Sequence, residues 1–169
     1  MKALITVAAL LLVLGLGFFL YSSPATSPEM TETEIAQIEA EVNQVLDDLM
    51  AAWNAEDLEG SLAPFDSEEL LVRWAADIDD GPQAFRARMV DIWERALEWE
   101  GDWDYRHVKV ISPTSALFIG SYEVTVSFAG GNTRSWHPEW TSLLERTDSG
   151  WRIILANHVF DEAVLVEEG

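Results

Sequence analysis

"AAWNAEDLEGSLAPFDSEEL", residues 51–70, holds the decision about the fold. Upstream of it, Ile35, Ile38, Val42, Val45, Leu46, Leu49, Met50 and Trp53 recur at steps of three and four, while Glu39, Glu41, Asn43, Asp47 and Asp48 occupy the other face. That periodicity predicts one long amphipathic helix. Thr31 and Glu34 have capping-box spacing and mark its start. The pattern stops at Asn54 and resumes a few residues later as a short second helix. Leu58, Leu62 and Phe65 would point inward, Pro64 would tighten the last turn, and Asp66-Ser67 would close it. An amphipathic run that breaks and restarts so soon needs an architectural reason.

Downstream, "ELLVRWA" (69–75) is a short strand candidate, and "DIDDGPQAFRARMVDIWERALEW" (77–99) contains a third helix. Asp80 is a candidate cap, Pro82 suits the first turn, and Phe85, Met89, Ile92, Trp93 and Leu97 form the apolar stripe. After Gly101 the period becomes two. Strands are expected at 103–111, 116–128, 134–146 (kinked or bulged at Pro138) and 151–160, with a hairpin signal at "AGGN", 129–132. Helix, short helix, strand, helix and then an antiparallel meander make an α+β fold with helices segregated to one face of a curved sheet. No internal repeat is present.

The N-terminus reads as an address. Met1 and Lys2 precede "ALITVAALLLVLGLGFFL" (3–20), an apolar run after one positive charge, and "YSSPATSP" follows. The run is also about the ~20 residues a membrane span needs. Residues 1–22 are therefore a signal peptide or an N-terminal membrane anchor, 23–32 a Ser/Pro/Thr linker, 33–160 the domain and 161–169 an acidic tail. Both alternatives place the domain outside the cytoplasm, in a periplasmic or extracellular space.

Thirty acidic against ten basic residues leave a formal charge of −20 in a chain of 169. Such a surface opposes nucleic acid and anionic lipid, whose binding depends on Lys and Arg. The expected membrane contact is through the N-terminal segment alone, if it is uncleaved. No cysteine is present, which removes disulfides, thiol nucleophiles and Cys-ligated metals. No ATP, nicotinamide or flavin motif occurs, and no cofactor is expected.

Two stretches carry a family resemblance. "AAWNAEDLEGSLAPF" looks like the hinge from helix one into helix two of the nuclear transport factor 2-like superfamily, and "EWTSLLERTDSGWRIILANHVF" (139–160) looks like its closing hairpin. With the element order, the chain resembles the SnoaL-like and ketosteroid-isomerase-like domains over about residues 33–160. The resemblance implies a cone-shaped barrel of curved antiparallel sheet, helices on its concave face, an apolar cavity between them, and a homodimer through the outer sheet face. The break at Asn54 is then a corner that closes one end of the cone.

Chemistry is harder to find. Aligned on "NAEDLEG", ketosteroid isomerase's catalytic Tyr and base Asp fall on Leu49 and Arg73, which can neither donate that hydrogen bond nor act as a base. The steroid-isomerase mechanism is disfavoured. Limonene epoxide hydrolase suggests an Asp-Arg-Asp arrangement, for which Arg73 with Asp104 or Glu123 would serve. His158 lies where the family often carries a histidine near the end of its last strand, with Asn157 on the opposite strand face. Arg73, Asp104 and His158 are thus the catalytic candidates, each set against an ordinary structural role. His137 and Glu139 are not read as metal ligands, and no metal site is expected.

Eight tryptophans fall between 53 and 151. Core filling accounts for most, Trp151 above all. Trp53, Trp93 and Trp140 are candidates for cavity walls, with Phe65, Trp74, Met89 and Tyr122, while Arg73, Tyr122 and Asn157 would supply polar groups. Such walls suit a small apolar or aromatic ligand. The competing reading is a cone filled by its own side chains. Three roles stay open: a binding domain, a SnoaL-like enzyme (isomerase, cyclase, dehydratase or hydrolase) on a small apolar substrate, and a dimeric scaffold for protein association near a membrane.

Overall fold

The computed structural model describes residues 30–74, 77–128 and 133–160. The leader, the linker up to residue 29, the hairpin signal at 129–132 and the tail at 161–169 lie outside the described residues. Among the described residues no helix is long and apolar enough to cross a membrane.

The first helix, α1 (Glu32–Asn54), begins at the expected capping box. The Glu34 N–H donates to Thr31 Oγ1 at 3.2 Å and the Thr31 N–H to Glu34 Oε2 at 2.8 Å. Its inner face buries Ile38, Val42, Leu46, Leu49, Met50 and Trp53. Each large aliphatic side chain removed from water there contributes about 1.5–3 kcal/mol.

The corner at Asn54 has a physical cause. Asn54 Nδ2 donates to the Gly101 carbonyl at 2.8 Å, and the Gly101 N–H donates back to Asn54 Oδ1 at 2.7 Å. Gly101 belongs to the long strand β3 (Ala96–Ser112). The side-chain amide so pairs with β3 as a neighbouring strand would, and the helix ends where it reaches the sheet. A Cβ at Gly101 would stand 3.0 Å from Met50 Sδ, so glycine permits the approach. The chain then turns through Glu56, whose φ is +56°, and Asp57 caps α2 (Leu58–Leu62) by accepting from the Gly60 N–H at 3.0 Å. Pro64 leads a 3-10 turn (Ala63–Phe65) that buries Phe65.

The other elements are β1 (Leu71–Trp74), β2 (Asp77–Asp80), α3 (Pro82–Arg95), β4 (Ser115–Phe128), β5 (Thr133–Trp136), β6 (Glu139–Thr147) and β7 (Gly150–Val159). The strands form one curved, unclosed sheet in the order β2-β1-β7-β6-β4-β3, with β5 beside β4. The architecture is α+β, with α1 packed against β3 and β7 and α3 against β2 and β3.

Four expectations need correction. The sheet is mixed, because β1 runs parallel to β7. These two strands are separated by most of the domain, so no hairpin signal sets their relative direction. Residues 77–80 form β2 in a hairpin with β1, and the third helix starts after Gly81 (φ +84°) with no side-chain cap from Asp80. The same helix stops at Arg95, so Leu97 sits exposed in a strand. There Trp99, Gly101 and Trp103 alternate with Glu98, Glu100 and Asp102, and period two wins over a helical stripe that reads equally well. Finally, 134–146 is two strands, broken at His137-Pro138, where proline has no N–H for a ladder.

Candidate functional site

Strand alternation decides which residues reach the space under the helices. On β4, Phe118, Tyr122, Val124 and Val126 are buried on the inner face. On β6 and β7 the inner residues include Trp140, Leu144, Ile153, Ala156 and His158. Trp140 is the hub. Its ring lies 6.1 Å from Trp53, 5.6 Å from Trp103, 5.2 Å from Phe118, 6.4 Å from Phe65 and 5.0 Å from His158. Much of the cone is therefore filled by its own aromatic side chains.

A cavity of about 200 Å³ remains toward one end. Trp53 of α1, Trp74 of β1 and Met89, Ile92 and Arg95 of α3 form one part of its wall. Trp99 of β3, Tyr122, Val126 and Phe128 of β4, Trp136 of β5, and Phe160 form the rest. Of the side chains expected to bind a ligand, Trp53, Trp74, Met89 and Tyr122 line it. Phe65 and Trp140 are fully buried in the packed core instead, and Trp93, half-buried on α3, is not part of the lining. Trp99, Phe128, Trp136 and Phe160 were not anticipated. Phe128 and Trp136 flank the hairpin signal at 129–132, a position that could have drawn attention to them.

Arg73 and Asn157 are corrected outright. They are register partners on β1 and β7, their side chains bonded at 3.2 Å (Arg73 Nη1 to Asn157 Oδ1), on the outer face. Their neighbours Trp74 and His158 take the inner face, so His158 and not Asn157 faces the core. Asp104 sits at a β3 bulge on that same outer face, where it accepts from Ser121 Oγ at 3.1 Å and lies 3.1 Å from His137 Nδ1. Glu123 is 3.9 Å from His137 Nε2. Two strands, β7 and β6, separate β1 from β4, so no Asp-Arg-Asp constellation forms at Arg73. Among the described residues no cluster of His, Asp and Glu could hold a metal ion.

The wall is held from behind. Trp74 stacks on His158 at 4.4 Å, and its indole N–H donates to Asp79 Oδ2 at 3.0 Å. Asp79, buried on β2, accepts from Arg88 Nε at 2.6 Å and Nη2 at 3.0 Å. His158 lies between Trp74 and Trp140, and burial lowers its pKa to about 3, so the imidazole is neutral. The Tyr122 hydroxyl stands 3.4 Å from His158 Nδ1, and burial raises the pKa of that phenol. A neutral imidazole and a neutral phenol side by side can exchange hydrogen bonds but present no charge.

No family sequence model matches the chain, and no curated protein matches it by sequence. Solved structures do. A hexachlorocyclohexane dehydrochlorinase superposes with a TM-score of 0.67 at 13% identity, covering 78% of this chain and 90% of that one. A scytalone dehydratase-like protein from Novosphingobium aromaticivorans gives 0.70 at 13% identity, over 78% and 89% of the two chains. A nuclear transport factor 2-like protein from Salmonella enterica serovar Typhimurium gives 0.69 at 14% identity, over 79% and 98%. At these identities the likeness is one of fold, and the fold is the nuclear transport factor 2-like cone.

Proposed function

We propose that this nuclear transport factor 2-like domain is a binding module for a small apolar or aromatic molecule, held in the cavity between α1, α3 and the sheet. The observation that carries the reading is the 200 Å³ cavity walled by aromatic and aliphatic side chains. An apolar cavity of about 150 Å³ is enough to hold benzene, so the size suits a single ring and is too small for a steroid. Among the described residues of the lining Arg95 is the one charged group, and it is bonded to Asp91 of its own helix. Among the described residues of the lining no carboxylate stands ready to take a proton, which favours binding over acid–base chemistry.

The enzyme reading is the alternative, and the Tyr122–His158 contact is what favours it. Two of the fold's neighbours are a dehydrochlorinase and a dehydratase-like protein, which makes an eliminating enzyme on a small apolar substrate the form it would take. We further propose that the protein is exported by residues 1–22 and pairs with itself through the outer sheet face. Across that face Leu117, Leu143, Leu155 and Leu71 are successive register partners on β4, β6, β7 and β1, a leucine row that no helix among the described residues covers.

The test of the binding reading is a titration of the protein with toluene, followed by tryptophan fluorescence. Saturable quenching in the wild type, lost when Val126→Phe fills the cavity, is the expected result. A featureless titration with toluene, and with a panel of other single-ring and aliphatic compounds, would overturn the reading.

A further inference from the structure

We infer that the outer sheet face meets a second copy of this chain about a two-fold axis that runs along the strands between β6 and β7, so that Asp80 of each protomer pairs with the partner's Lys109. The inference rests on the self-pairing proposed above and goes beyond it by fixing the register and naming the charges that select it.

The leucine row has a charged residue at each end. Asp80 of β2 is the register partner of Leu71, and Lys109 of β3 is the register partner of Leu117. Across the sheet from β2 to β3 the row therefore runs Asp80, Leu71, Leu155, Leu143, Leu117, Lys109. Their chain neighbours Asp79, Val72, Ala156, Ser142, Phe118 and Val108 are buried on the inner face, so alternation turns the row outward. Asp80 and Lys109 are exposed, and among the described residues neither side chain has a hydrogen-bond or ion-pair partner. The chain has two lysines, Lys2 and Lys109, so the domain's single lysine stands at one end of this row.

A two-fold axis lying between two copies of one face can superpose the leucine rows in two ways. An axis along the row sets each residue against itself, Asp80 on the partner's Asp80 and Lys109 on the partner's Lys109. An axis along the strands reverses the row. Leu155 then meets the partner's Leu143, Leu71 the partner's Leu117, and each Asp80 the partner's Lys109. The middle of the row is apolar in both arrangements, so its ends decide. Like charges face each other in the first arrangement and opposite charges in the second, which is the favoured one.

The six strands of the row have their midpoint between β7 and β6, which places the axis there. Nearer the β6–β7 turn, Glu145 and Arg152 are register partners on either side of that same axis. The reversal turns each Glu145 toward the partner's Arg152, again opposite charges. Each protomer carries a net charge of −20, so two copies repel at long range and association depends on such local complementarity.

Within one protomer Asp80 and Lys109 are five strand spacings apart, roughly 24 Å at 4.8 Å per strand. They can touch only between protomers. The first experiment is therefore carbodiimide cross-linking of the full-length wild type, which joins an amine to a carboxylate in contact with it. The expected product is a covalent dimer whose peptide map contains an Asp80–Lys109 link. A covalent dimer without that link overturns the inference.

The second experiment measures dimer dissociation by sedimentation equilibrium. Asp80→Lys and Lys109→Asp should each weaken the homodimer about 10-fold, since each replaces two attractions by two repulsions. An equimolar mixture of the two variants should recover wild-type affinity as a heterodimer, with opposite charges at both ends. The two substitutions move the net charge in opposite directions, so weakening by both is not an effect of total charge. A dimer that either reversal leaves intact, or a mixture that recovers nothing, overturns the register and leaves the outer-face dimer standing. Should a variant fail to fold, the wild-type cross-link decides alone. A wild-type monomer at high concentration overturns the self-pairing and this inference together.

Discussion

His158 shows how a residue that reads as a catalyst becomes part of a wall. At the end of the last strand, a histidine is the natural candidate for proton transfer near neutral pH. Here it is stacked between two indoles and barely exposed, with no carboxylate bonded to it among the described residues. Its folded pKa of about 3 lies below the unfolded value of 6.5. Between those two values the unfolded chain binds the extra proton, so stability attributable to this side chain is whole above pH 6.5 and falls as pH drops toward 3. Carboxylates held low, such as Glu41 bonded to the Trp151 indole and Gln37, lose their contribution only further into acid. The window from pH 7 to pH 5 therefore reports on His158. Urea unfolding should lose up to about 2 kcal/mol across it, and His158→Gln should flatten that dependence. An equally steep wild-type and variant profile would place the titrating group elsewhere.

At the scale of elements, the short β2 strand and the Asp79 carboxylate it carries do the most to shape the cavity. The carboxylate joins three elements: its own strand, Trp74 on β1 and Arg88 on α3. Removing it leaves a guanidinium and an indole N–H without their partner. With the Arg88 side chain about a third exposed, water offsets part of that loss, and Asp79→Ala should cost about 2–3 kcal/mol. Because Trp74 is one wall of the cavity, the same variant should also weaken aromatic ligands. Denaturant melts and toluene titrations of one preparation measure both effects. Loss of stability without loss of binding would mean that the Trp74 ring is held by its stacks on His158, Phe85 and Phe160 without the Asp79 bond. None of this was legible in "DIDDGPQ", where Asp80 reads as a helix cap and Pro82 as a first-turn residue, and no strand is expected.

For the whole molecule, the leucine row on the outer sheet face poses the question of assembly. Leu71 and Leu155 are each about two-fifths exposed, at 41% and 42%. Sedimentation of the wild type should give a dimer, and Leu143→Asp with Leu155→Asp should give a folded monomer. A wild-type monomer at high concentration would remove the dimer proposal and leave the cavity untouched.

Local patterns in the chain were enough to determine the capped first helix, its stop at Asn54, the second helix with its proline turn, three long strands and the α+β class. Each is written in near-neighbour chemistry: side-chain periodicity, a capping box, a proline without an N–H. The tertiary structure alone decided the rest. It set β1 parallel to β7, tied Asn54 to Gly101 across 47 residues, and chose which face of β7 looks inward. A one-residue choice of face sends every side chain on a strand to the other side. Such a choice put His158 and Tyr122 in the interior and Arg73 and Asn157 outside. The cavity, too, is what remains after distant aromatic rings have packed against one another, and no local stretch of sequence encodes that remainder.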